Sequence, residues 1–225
     1  MLTSRHTQDS KQEAGIDEAG RGCLWGPLIA AAVVWPEESA WSEEVRAISL
    51  RIKDSKKISA KQRAVLEEGI KKHAVAWGTG RVEAAEIDAI GMTKANRLAF
   101  TRALAAIPRP DRIIVDGIIS VRADGIEEIL EPQADGKYLS VAAASIIAKE
   151  AHDTIVKEIC SADPALHERY GLLSSKGYGT AKHRGAIQEH GMHAEHRRLF
   201  LRKLLGLEHT VSVENREDDC LICDE

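Results

Sequence analysis

The sequence predicts an α/β chain, a mixed central sheet flanked by helices with a small helical lobe at the C-terminal end. Three observations predict it. Residues 27–34 (PLIAAAVV) are almost continuously apolar, as in a strand buried on both faces. Residues 112–116 (RIIVD) form a β-branched strand that stops on an acid. Residues 140–160 read as one long helix, with Ala144, Ile147, Ala148, Ala151, Ile155 and Ile159 recurring at three- and four-residue steps.

The remaining elements follow in order. Residues 15–18 (GIDE) pair with 27–34 as a hairpin. Ser59 and Gln62 stand in capping-box spacing and open a helix through about residue 73. Residues 73–82 suggest a third strand. A helix over 93–107 is stopped by Pro108 and Pro110. Residues 126–134 are ambiguous, because Pro132 limits any strand there to an edge. Short helices follow, among them 180–190, closed by Gly191, and 196–205.

At 225 residues the chain is long enough for one large domain, and no linker or repeat divides it. Residues 1–13 and 208–225 read as flexible tails. Residues 14–207 form the domain, its helical lobe beginning near residue 164. Hydrophobic residues at 44% and charged residues at 29% exclude disordered, collagenous and coiled-coil classes. The longest apolar stretch, 26–35, is too short to span a bilayer, and the polar N-terminus lacks a signal core. A cytoplasmic protein without membrane contact is expected.

The formal charge is −4, but seven carboxylates against one Arg216 crowd residues 208–225. The rest of the chain is therefore slightly basic and able to meet a polyanion. Four cysteines without a secretory context are expected to be reduced. Cys220 and Cys223 form a CxxC with no second pair to complete a zinc site.

Chemistry concentrates in a few segments. Asp17 and Glu18 end an apolar run, Asp116 ends another, and Asp135 follows a third candidate strand. Strand side chains alternate, so Asp17 and Glu18 share one site only where the strand ends or twists. Clustered carboxylates require a cation, and hard oxygen ligands select Mg²⁺ or Mn²⁺. Taken singly, each acid fits a solvated turn better than a metal site. Gly20-Arg21-Gly22 offers backbone N–H groups for close approach to a sugar or phosphate. Lys53 to Lys57, with Lys61 and Arg63 behind, makes either an anion site at a helix start or a solvated basic turn. Ser145 lies in the Ala-rich helix, bonded back to a carbonyl or pointed at a phosphate. Tyr178 stands between Gly177 and Gly179, suited to stacking on a sugar or base. No nucleophile elbow, P-loop or HExxH competes.

Together these segments resemble ribonuclease HII of the type 2 ribonuclease H family. The residues that carry the resemblance are GIDEAGRG (15–22) with Gly26-Pro27, DSKKIS (54–59), Asp116 in IIVDG, and Asp135 with Lys137, Tyr138 and AASIIAK (143–149). GYGT with His183 (177–183) and HRRLF (196–200) complete it, so the register holds over about residues 14–203. The resemblance implies a ribonuclease H-like fold with Asp17, Glu18, Asp116 and Asp135 as metal-binding catalytic carboxylates for Mg²⁺ or Mn²⁺. It implies hydrolysis of the RNA strand of RNA/DNA hybrids and cutting 5′ to single ribonucleotides in duplex DNA, leaving 3′-hydroxyl and 5′-phosphate ends.

By the same resemblance, Gly20, Arg21, Gly22 and the Tyr178 hydroxyl read the ribose 2′-OH, while Lys56 and Ser145 hold phosphates. The expected partners are the hybrid and the ribonucleotide-containing duplex, bound by a monomer. The chain departs from the family at His152, where an Arg is usual, and at Cys23-Leu24-Trp25. Asp153 is a rival for the fourth carboxylate, with Asp135 preferred. The tail after Leu207 shows no sliding-clamp motif. A non-catalytic hybrid-binding module is the alternative reading.

Overall fold

A computed structural model describes residues 2–53, 55 and 58–206. Five strands form one mixed sheet: β1 (Glu13–Ala19), β2 (Leu28–Val34), β3 (Ala76–Val82), β4 (Arg112–Asp116) and β5 (Glu127–Glu131). Their order is β3-β2-β1-β4-β5, with β1, β2 and β3 antiparallel and β4 and β5 parallel to β1. Two short helices, α1 (Glu43–Ser49) and α3 (Ala84–Ile90), flank the longer α2 (Ala60–His73) and α4 (Met92–Ala105). The long helix α5 (Leu139–Ala162) follows β5. The lobe comprises α6 (Pro164–Tyr170), α7 (Leu172–Ser175), α8 (Ala181–His190) and α9 (Arg198–Leu201). Among the described residues, no helix is long and apolar enough to cross a membrane.

Strand alternation divides the core. Leu28, Ala30, Ala32 and Val34 of β2 join Ile16, Ile113 and Val115 against Ala95, Ala99, Phe100 and Ala103 of α4. Ala31 and Val33 face the other way, onto Ala142, Ala143, Ile146 and Ile147 of α5 and Leu66 and Ile70 of α2. All seven β2 residues are buried, as the apolar run predicts. The alanines of α5 keep that helix close to the sheet. At the closest crossing, a Cβ on Gly15 would fall 2.2 Å from the Val141 backbone nitrogen. Only glycine lets β1 and α5 meet there, and this contact fixes the depth at which α5 lies across the sheet.

Ser59 caps α2 through the capping box with Gln62, and β5 is the sheet edge that Pro132 allows. Two expectations are corrected. Residues 3–13 are not a free tail: Thr3 N–H donates to Lys137 C=O at 2.8 Å, and Leu139 N–H donates to Thr3 C=O at 2.9 Å. Arg112 further ties Glu13 and Asp9 to β4 at 2.7 and 2.8 Å. The helix expected over 196–205 shrinks to α9. His196 bridges Trp25, and the Arg197 N–H is bonded to Leu24 C=O, so helix starts only at Arg198. Asp88 then accepts the first N–H groups of α9, from Arg198 and Leu199, at 2.9 and 3.0 Å. The acidic tail, 208–225, with its CxxC, lies outside the described residues.

Candidate active site

Parallel strands in register share a face. Ile16 pairs with Val115, so Asp17 and Asp116, one residue on, stand side by side on the α5 face of the sheet. Asp135 arrives from a different direction. Gln133 takes a left-handed conformation (φ 61°) and opens a 3-10 turn, Ala134–Gly136, which delivers the chain to α5. The Ala134 N–H donates to Asp116 Oδ1 at 2.8 Å and pins this turn to β4. One carboxylate oxygen from each of Asp17, Asp116 and Asp135 lies within 4.8 Å of the other two. Asp17 and Asp135 are each only 6% exposed.

Glu18 belongs to the other face. The strand runs on through Ala19, so alternation turns Glu18 away from Asp17, where it lies 3.7 Å from the Arg21 guanidinium. Its charge still reaches the cluster. Burial first, then the nearby Glu18 and Asp116, push the Asp17 carboxyl well above its usual range. Opposing them, Ser145 from α5 is hydrogen-bonded to Asp17, and its hydroxyl lies 2.9 Å from that of Ser55. Ser145 is buried, and its hydroxyl steadies Asp17. Three crowded carboxylates, one held against its own ionisation, form an all-oxygen donor set suited to a hard divalent cation.

Asp153 is elsewhere engaged. Its carboxylate meets Lys149 at 2.8 Å, Arg63 at 3.2 Å and His152 at 3.3 Å. Burial alone would raise it, but hydrogen bonds from His152 and Lys149 outweigh burial and bring it down to about 2. Glu150 completes this buried cluster on Arg63. Arg63 therefore braces α2 against α5 rather than joining an anion site at the start of α2. Asp135, and not Asp153, stands in the cluster with Asp17 and Asp116. Lys56 lies outside the described residues.

A second half of the site surrounds Gly20. This glycine has φ 85°, and a Cβ there would meet the His152 ring at 2.5 Å. His152 is thus a fully buried imidazole behind the glycine loop, its pKa lowered chiefly by burial. Arg197, also fully buried, donates to the carbonyls of Gly20 (2.7 Å), Arg21 (3.1 Å) and Gly26 (2.9 Å). Tyr178 crosses from the lobe, its backbone bridged to Cys23 and its hydroxyl turned toward the Gly20 backbone and the Cys23 thiol. Burial first, then the neighbouring thiol and Asp153, raise the Tyr178 hydroxyl to about 12, so it stays protonated and able to donate. The ring is 38% exposed beside Gly22, with the Lys149 ammonium 5.4 Å from its centroid.

The structure thus joins Gly20 and Gly22 to Tyr178, and Asp17 to Asp116 and Asp135. Sequence patterns did not single out Arg197, Ser55 or the ion cluster on Arg63. For Arg197, the only signal was its place beside His196 in HRRLF.

A family model described as ribonuclease HII matches residues 14–203. The chain belongs to the ribonuclease HII family. It is 41% identical to a ribonuclease HII of Parasynechococcus marenigrum over 194 residues, covering 86% of this chain and 83% of that protein. Among solved structures, it is similar to the ribonuclease H2 of Pyrococcus horikoshii (29% identity, TM-score 0.67), covering 87% of this chain and 98% of the other. It is also similar to a ribonuclease HII of Archaeoglobus fulgidus solved in complex with PCNA (26% identity, TM-score 0.66), with 92% and 99% covered. The fold is therefore ribonuclease H-like, and like other ribonucleases HII the chain is a metal-dependent ribonuclease H endonuclease acting on nucleic acid. The aspartate cluster supplies oxygen ligands that fit this chemistry.

Proposed function

We propose that this enzyme hydrolyses the RNA strand of RNA/DNA hybrids and cuts 5′ to single ribonucleotides embedded in duplex DNA. The observation that carries this reading is the joining of the aspartate cluster, through two residues of β1, to the Gly20–Tyr178 contact. One half suits phosphodiester hydrolysis and the other suits recognition of a 2′-hydroxyl, the group that tells RNA from DNA.

Asp17, Asp116 and Asp135 would hold divalent ions; Glu18, which the resemblance adds to this set, stands on the opposite face of β1 and acts on them through its nearby charge. Such ions would supply Lewis acidity and charge neutralisation for in-line attack of water, which would leave 3′-hydroxyl and 5′-phosphate ends. Ser145 holds the Asp17 carboxylate in one orientation. The backbone of Gly20, Arg21 and Gly22 binds the 2′-hydroxyl, and Arg197 fixes that backbone from behind. The Tyr178 hydroxyl donates to the 2′-oxygen, and its exposed ring packs on the following sugar, where a deoxyribose fits. Lys56 contacts a phosphate, as the resemblance implies. The enzyme works as a cytoplasmic monomer on nucleic acid, with no clamp contact required for chemistry.

The test is cleavage of a labelled DNA duplex carrying one ribonucleotide, beside an all-DNA duplex and a long hybrid, with Mg²⁺, Mn²⁺ or chelator. A metal-dependent cut 5′ to the ribonucleotide, with the all-DNA duplex intact, is expected. Cleavage of the long hybrid alone would remove the junction role of Tyr178. Tight binding without cleavage of either substrate would favour a hybrid-binding module, a reading that the intact acid set opposes.

A further inference from the structure

Two buried imidazoles sit behind Tyr178. His183 of α8 is fully buried and His196 is 2% exposed, and their Nε2 atoms are 3.1 Å apart. A hydrogen bond between two ring nitrogens needs one donor and one acceptor, and the outer contacts decide which is which. The His193 backbone N–H lies 2.8 Å from His196 Nδ1, and a backbone N–H can only donate. His196 Nδ1 is therefore the acceptor, and its proton sits on Nε2. At the other end, His183 Nδ1 lies 3.0 Å from the Tyr178 carbonyl oxygen, which can only accept. His183 Nδ1 therefore carries the proton, and His183 Nε2 receives the bond from His196.

The chain of bonds runs one way: His193 N–H to His196, His196 to His183, His183 to the Tyr178 carbonyl. Each ring is neutral and each has a single usable tautomer, because a second proton on either would set two N–H groups head to head. Burial disfavours that proton as well, lowering both rings. The start of the chain is anchored by the fully buried Trp25, whose indole N–H lies 3.4 Å from His193 Nδ1. Tyr170 of α6 packs its ring edge on both imidazoles, at centroid distances of 4.9 Å to His196 and 6.3 Å to His183.

At the far end, the Tyr178 carbonyl receives one other bond among the described residues, from the Thr180 N–H at 2.8 Å. The segment before it turns through left-handed conformations at Lys176 (φ 51°) and Gly177 (φ 82°). A backbone turned this way needs outside bonds to hold one orientation. The imidazole pair supplies that bond from the lobe, in addition to the Cys23 bridge.

We propose that His183 and His196 are positioning residues that hold Tyr178 in register with the Gly20 loop and thereby set the preference for a single ribonucleotide over a long hybrid. This rests on the proposed reading of Tyr178 as the group that senses the 2′-hydroxyl and the following sugar. A long hybrid offers a 2′-hydroxyl at every position and tolerates a displaced Tyr178. A junction offers one, and does not.

The test uses the full-length chain. His183→Phe and His196→Phe keep an aromatic ring and lose the bonds. His183→Gln keeps one donor and one acceptor. Rates on a one-ribonucleotide duplex and on a long hybrid are measured at saturating metal and expressed as a ratio. The Phe variants are expected to lower that ratio about tenfold, the size of one lost buried hydrogen bond, and His183→Gln to hold it within about twofold.

In a Tyr178→Ala background, the same Phe substitutions are expected to leave the ratio unchanged, because the group they position is gone. An unchanged ratio in folded Phe variants, or a further tenfold loss in the Tyr178→Ala background, would overturn the proposal. A Tyr178→Ala enzyme whose ratio equals that of wild type would overturn the reading beneath it instead. Should the Phe variants not fold, ¹⁵N-histidine NMR of the wild-type protein decides. The proton is expected on Nδ1 of His183 and on Nε2 of His196, and the reverse pair of tautomers would sink the proposed chain.

Discussion

Gly20 and His152 are packed so closely that a single added methyl group at Gly20 would lie 2.5 Å from the imidazole Cδ2. The two residues lie 132 positions apart in sequence, and their contact sets where the glycine loop stands beneath Tyr178.

Gly20→Ala is therefore expected to damage both the fold and recognition. The residue needs φ 85° and has no room for a Cβ. The backbone strain costs about 1–2 kcal/mol, and displacement of the loop lowers ribonucleotide cleavage by at least about tenfold. Adding His152→Ala removes the clash but not the strain. A partial recovery of activity in the double variant, measured on the one-ribonucleotide duplex, is the expected outcome.

Asp17→Asn is expected to abolish cleavage and yet make the protein more stable in chelator. The Asp17 carboxyl is held well above its ordinary range by burial and by Glu18 and Asp116, so its ionised form destabilises the fold at neutral pH. Removing that charge is expected to raise Tm by a few degrees, at roughly 2–4 °C per kcal/mol for a chain of this size. A lower Tm without metal would contradict the reading of the cluster as strained.

Asp153 and Asp135 are expected to separate cleanly. Asp153→Ala leaves the buried Arg63 guanidinium with Glu150 and two long carbonyl contacts, and breaking such a buried set costs about 3–5 kcal/mol. Asp135→Asn is expected to keep the wild-type urea midpoint within about 1 kcal/mol while cleavage disappears. Urea unfolding of both variants, beside their cleavage rates, tests the assignment of the fourth acid.

Stability is expected to fall as the solution is acidified from about pH 6.5 toward pH 4. His152, His183 and His196 are buried and held below the ordinary histidine value of 6.5, His196 at about 4. In that window the unfolded chain takes up protons that the folded chain refuses, so unfolding gains free energy as pH drops. His196 alone accounts for an upper bound of about 3 kcal/mol. The raised Asp17 carboxyl works in the opposite sense, taking a proton in the folded state. Urea midpoints of Asp17→Asn protein across this range therefore show the histidine effect with least interference. A flat profile would mean that the rings are protonated in the native state.

Much of the fold is legible from local pattern. The continuous run over 28–34 has to be a central strand because neither face has polar residues to show to water. Ser59 and Gln62 announce the start of α2, since they satisfy N–H groups that nothing else reaches. The β-branched run ending on Asp116 marks a strand from residue 112 to 116. The short helices α1 and α3 carry weaker patterns and escape notice, because seven residues do not sustain a helix without the packing that holds them. The N-terminal dozen residues read as a tail because the partners of Thr3 and Asp9, namely Lys137, Leu139 and Arg112, lie more than a hundred residues away.

Sequence alone determined the family, the fold class, four of the five strands and the long helices. These features are written in residue type and spacing. Only the tertiary structure decided which groups meet. Strand alternation and the β1–β4 register put Asp17 beside Asp116 and turned Glu18 to the opposite face. The packing of α2 on α5 drew Asp153 into an ion cluster. The lobe folding back over the glycine loop set Arg197, His183 and His196 behind Gly20 and Tyr178. A single sequence cannot specify such meetings by pattern, because each is a contact between segments remote along the chain. Each is made favourable only when the whole core excludes water and leaves these polar groups no partner but one another.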